Sequence, residues 1–129
     1  MSSTPKSLWP EVIGVKKLPA PVQLLQEQGE VLETLTGGKL YGEASPSSFP
    51  AADAVRYDFF VGVNGKAIRH KLLSVEIGLL FDYPVTIVNH EAGTTERVDE
   101  ANYPEAIGRI LRSDVTQSLL ERLMEFADP

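Results

Sequence analysis

Cysteine is missing from all 129 residues. That excludes disulfides, thiolate zinc sites, thiol redox chemistry and cysteine nucleophiles, and it suits a reducing compartment. Long apolar runs are missing too. A membrane-spanning helix needs about 20 apolar residues in succession, whereas stretches such as Ile77–Phe81 and Val85–Val88 are short and interrupted. The opening MSSTPKSLWPEV has none of the apolar core of roughly 7–15 residues that marks a signal peptide. These absences predict a cytoplasmic protein with no membrane association. Positive charge is in short supply, with 12 Lys and Arg against 18 Asp and Glu, a net −6. That balance argues against nucleic acid and anionic membranes as partners. No Gly-x-Ser-x-Gly elbow occurs. Asn64-Gly65-Lys66 is not a phosphate loop, because Phe60 stands where its first glycine belongs and Ala67 follows the lysine. No cofactor is expected.

What is present describes a globular chain. Hydrophobic residues make up 43% and charged residues 23%, outside the disordered range. The length fits one domain of about 100–200 residues. Residues 1–19 hold Pro5, Pro10 and Pro19 without a period of strand or helix. They read as an extended, partly disordered arm, and residues 20–129 as a single domain. Trp9, the lone tryptophan, is a candidate partner-binding anchor, since its area is costly to leave in water. Charge is uneven: residues 91–129 carry 4 basic and 9 acidic side chains, a net −5 of the total −6. That acidic surface either aids solubility or docks a basic partner.

The periodicity predicts a helix over 20–36, with Leu24, Leu25, Gln28, Val31, Leu32 and Leu35 as its apolar stripe and Gly37-Gly38 as its stop. Gly29 inside it costs about 1 kcal/mol relative to alanine, which implies weak helicity or a close neighbour. A strand is expected over 39–45 and a loop over 45–52. Residues 54–63 alternate most clearly, with Val55, Tyr57, Phe59, Val61 and Val63 on one face. Asn64-Gly65 then predicts a two-residue type I′ hairpin returning over 66–77. In that register Phe59 faces His70 and Tyr57 faces Leu72, while Phe60 meets Arg69 and Asp58 meets Lys71 as favourable pairs. Beyond Leu72 the apolar parity changes, so a bulge is expected near Leu72–Leu73. Residues 79–88 read as a fourth strand, or a pair split around Asp82–Pro84, and 94–98 as a short fifth. Asn102 and Glu105 resemble a capping box opening one helix, and Ser113 caps a last one with a Val115, Leu119, Leu120, Leu123, Met124 stripe. The expected fold is α+β: an antiparallel four- to five-stranded meander, with an N-terminal helix and two C-terminal helices packed on one face.

The chemistry-bearing residues are few. His70 and His90 are the only histidines, and no metal-ligand spacing joins them to carboxylates, so no metal site is expected. If the strand face is an open groove, Tyr57, Phe59, His70 and Glu76 form the one plausible ligand-binding or acid–base set. No residue is assigned as catalytic. Aromatics and bases alternate around the hairpin as in sheet-based RNA binders, but the matching glycine pattern and charge are missing.

The features LLQEQGEVL, Tyr57-Asp-Phe-Phe-Val61, Leu72-Leu-Ser-Val-Glu-Ile77 and Tyr83-Pro-Val-Thr-Ile87 resemble a group of small uncharacterised bacterial α+β proteins. The resemblance covers about residues 20–126. It implies a bacterial, intracellular origin and no assigned activity. The expected function is a non-enzymatic interaction module of adaptor, regulatory or immunity type, with a protein partner or self-association. The alternative is a small-ligand binder or enzyme on the Tyr57, Phe59, His70 face.

Overall fold

The computed structural model describes residues 6–8, 18–48 and 53–127. Trp9 and most of the expected arm lie outside the described residues. The element order is α1 (Ala20–Leu35), β1 (Leu40–Pro46), β2 (Ala54–Val63), β3 (Arg69–Gly78), β4 (Val85–Asn89), β5 (Thr94–Val98), α2 (Tyr103–Leu111) and α3 (Asp114–Phe126). The five strands lie in the order β1-β2-β3-β4-β5, each antiparallel to its neighbour. This is the expected α+β meander, closed on one face by the helices.

Local sequence explains most of the boundaries. Pro21 sits in the first turn of α1, where a missing N–H costs nothing, and Gly37 and Gly38 take positive φ just past its end. The α1 surface facing the sheet is Val22, Leu25 and Gly29. Gly29 has the close neighbour that its place in a helix implied: a Cβ there would lie 2.1 Å from the Gly42 carbonyl oxygen of β1. The outer part of the expected stripe is not covered, since Val31 and Leu35 are exposed. The tight Gly29–Gly42 approach steers α1 so that Leu25, not Leu35, reaches the core. In α3, Thr116 and Leu123 are buried while Val115 and Met124 face outward. Ser113 caps α3 by accepting from the Thr116 N–H. Asn102 makes no such cap, because Asp99 Oδ1 accepts from both its backbone and its side-chain amide.

The β2–β3 hairpin exists, but its turn and register differ from expectation. Asn64 keeps a negative φ and only Gly65 is positive there, so the turn is not type I′. The ladder closes at Val63 N–H to Ile68 O, leaving residues 64–67 in the loop. Phe59 consequently faces Leu73, not His70, and Tyr57 faces Val75, not Leu72. The register then shifts between Phe59 and Phe60, leaving Leu72 as the extra residue. This is the bulge that the parity change required. Leu72 and Leu73 are both buried as a result. The two expected side-chain pairs survive on the diagonal: the Arg69 guanidinium lies 4.0 Å from the Phe60 ring centre, and Lys71 Nζ is 3.3 Å from Asp58 Oδ2.

Candidate functional site

The sheet face away from the helices carries a polar network. Arg56 and Asp58 come from β2, Ser74 and Glu76 from β3, and His90 follows β4. Register puts Arg56 beside Glu76 and Asp58 beside Ser74. Asp58 and Ser74 are buried, although no helix covers them, because the surrounding long side chains do. Ser74 Oγ donates to Asp58 Oδ1 at 2.6 Å, and it lies 2.7 Å from His90 Nε2 and 3.3 Å from Arg56 Nη2.

Those distances decide what the cluster can do. The single hydroxyl proton goes to Asp58, so Ser74 accepts from His90 Nε2–H and from Arg56. A serine nucleophile needs its histidine as proton acceptor, with the carboxylate behind the histidine. Here the serine stands between the two, with its lone pairs occupied and no exposure. Burial first, then the charges of Arg56 and Lys71, hold His90 below its usual 6.5, which keeps the imidazole neutral. Asp58 is pushed up by burial, but hydrogen bonds from Ser74 and Lys71 and the Lys71 charge outweigh that and leave it lowered. A depressed carboxyl is a poor base. The network braces β2, β3 and the end of β4, with the buried Arg56 Nε left without a hydrogen-bond partner, 3.6 Å from Asp58 Oδ1.

The structure does not bring the four candidate residues together. Phe59 is fully buried and Tyr57 half-buried on the helix-covered side. His70 pairs with Val61 toward the hairpin end and contacts Glu91 of the β4–β5 turn. Glu76 is on the opposite face, bonded to Arg56 at 3.4 Å. His70 and Glu76 share sequence parity, yet the extra residue at Leu72 places them on opposite sides. An apolar crevice of about 170 Å³ between α1 and α3 is floored by Phe59, Val61 and Leu72, and neither Tyr57, His70 nor Glu76 reaches it. Among the described residues, no group of three or more His, Asp or Glu could hold a metal ion.

A different feature stands out at the β3–β4 link. Leu79, Leu80 and Phe81 are 68%, 87% and 75% exposed in succession. Single exposed apolar side chains are ordinary, but a contiguous run of large ones marks a contact surface. The base of this tip is fixed. Asp82 Oδ2 accepts from the Ala20 N–H at 3.3 Å, and the Tyr83 ring meets Tyr103 edge-on at 5.8 Å. Leu79, Leu80 and Phe81 form one wall of a cleft of about 530 Å³, whose other wall includes Asp53, Glu76 and Arg97. Residues 79–84 thus form a link and not the first half of a strand, and β4 begins only at Val85, after Pro84. The sequence signal was available: three large apolar residues without alternation, bracketed by Gly78 and Pro84.

No protein-family model, no curated protein and no solved structure matches this chain.

Proposed function

We propose that this protein is a non-enzymatic interaction module that docks a protein partner through Leu79-Leu80-Phe81. The observation that carries the reading is the exposure of these adjacent side chains on an anchored base. A tip whose base is already ordered loses little conformational freedom on binding, so more of its apolar burial is realised as affinity. The Asp58–Ser74–His90 network supports a non-enzymatic role, since this serine gives its proton to the carboxylate and not to the histidine. The cytoplasm is the setting we assign, on the absence of cysteine.

The test is site-specific photo-cross-linking in the native cell, with p-benzoylphenylalanine in place of Leu80 and, separately, of Leu35. The reading expects a discrete adduct with another protein from position 80 and not from position 35. Equal labelling from both positions, or none from position 80, refutes it.

A further inference from the structure

Acidic side chains stand beside the apolar run, in the cleft that it lines and near Tyr83 at its base. Asp82 follows Phe81 directly. Glu100 and Asp82 both lie near enough to Tyr83 that their charges add to burial in raising its phenol above the usual value. Asp53 and Glu76 bound the adjoining cleft. Against these stand Arg97, on the cleft wall, and Arg56, which is engaged by Glu76 at 3.4 Å. Among the described residues the balance at the rim is negative, four carboxylates against two arginines, as it is for the whole chain at −6.

An occupant has two conditions to meet. It must remove Leu79, Leu80 and Phe81 from water, and it must present positive charge where the rim carboxylates are. A second copy of this chain fails the second condition. A two-fold contact sets one patch against the same patch, so each acidic rim would face its twin while losing solvent. An anionic lipid surface fails for the same reason.

Resting on the reading that the tip is the point of contact, we infer that its partner is a protein whose apolar pocket is rimmed by lysine or arginine. The apolar tip holds the complex together, and the rim charges select the partner and speed the encounter. Rim pairs of this kind are screened by salt.

The probes are two synthetic peptides with the same Leu-Phe-Leu centre, one flanked by lysines and one by glutamates, added to the full-length 15N-labelled chain. The lysine peptide is expected to shift the backbone amides of residues 78–82. Its affinity should fall by about tenfold between roughly 0.05 and 0.5 M salt, as screening of a few exposed charge pairs implies. Leu80→Ser should abolish those shifts, and the exposed-rim double variant Asp53→Asn, Glu100→Gln should weaken them severalfold without disturbing the rest of the spectrum. The glutamate peptide should leave the spectrum unchanged. No shift at millimolar lysine peptide, equal binding of both peptides, or binding indifferent to salt overturns the inference. So does a dimer that Leu80→Ser dissolves, or Leu80-dependent sedimentation with phosphatidylglycerol vesicles. If position 80 still cross-links another protein in the cell while the peptides show no charge preference, the inference fails and the docking reading stands. If cross-linking fails as well, both fall.

Discussion

Asp58 remains ionised although it is almost sealed from solvent. Burial alone would raise its pKa; the hydrogen bonds from Ser74 and Lys71, with the Lys71 charge, leave it below the usual 3.8. The unfolded chain lacks those partners, so between the two values it holds the proton that the folded chain has released. The resulting stabilisation is therefore complete above about pH 4 and is lost as the pH falls through the lower, folded value. Asp58→Asn keeps the shape but removes the charge opposite Lys71 and Arg56, with an expected loss of about 1–3 kcal/mol at pH 7. Urea unfolding of both proteins at pH 7 and pH 3 checks this: the gap between them should narrow in acid. A gap independent of pH would show that folding leaves the Asp58 pKa where it stands in the unfolded chain.

Elements in this chain are set partly by local pattern and partly by contacts that no local pattern reveals. Gly29 was visible as an anomaly inside an otherwise regular helix, but Gly42, the residue it meets, was not, because the approach joins two elements across the fold. Alanine at position 29 would gain about 1 kcal/mol as a helix former. Its Cβ, however, would press on the Gly42 carbonyl, which is backbone and cannot swing away. Gly29→Ala should thus lower stability by about 1–3 kcal/mol, the usual cost of overpacking, in chemical denaturation. A rise in stability would mean that α1 stands further from β1 than described. The hairpin divides in the same way. Asn64-Gly65 made the reversal legible, and the parity change made the bulge legible. The register was not legible, because Asn64 serves a distant purpose: its side chain donates to Gly38 O at 2.7 Å and its N–H to Lys39 O at 3.0 Å. Those bonds tie the turn to the α1–β1 link and favour the longer loop. The candidate set of Tyr57, Phe59, His70 and Glu76 failed to assemble because of this register and the Leu72 bulge together. The expected strand over 79–88 holds only from Val85, because Leu79–Phe81 lack strand alternation and Pro84 bars the ladder, a break that the split around Asp82–Pro84 already allowed for.

At the scale of the whole molecule, a buried hydrogen bond joins the first turns of α1 and α2. Tyr103, at the start of α2, is completely buried, and its hydroxyl donates to the Pro21 carbonyl at the start of α1 at 2.7 Å, across 82 residues of sequence. The same ring supports Tyr83 and so the base of the exposed tip. Tyr103→Phe keeps the packing and removes only the donor, leaving the Pro21 carbonyl without its buried partner. The expected cost is about 1–3 kcal/mol, read from urea unfolding at pH 7. Burial, and after it the neighbouring Tyr83, raises the Tyr103 phenol well above the usual 10. Its contribution is therefore whole below about pH 10 and fades only as the pH climbs through the higher, folded value. Ultraviolet titration of the folded wild type should show one of its four tyrosines ionising last, and Tyr103→Phe should remove that step. A variant as stable as the wild type, with the late step retained, would assign the buried phenol to another residue and leave the α1–α2 tie without energetic weight.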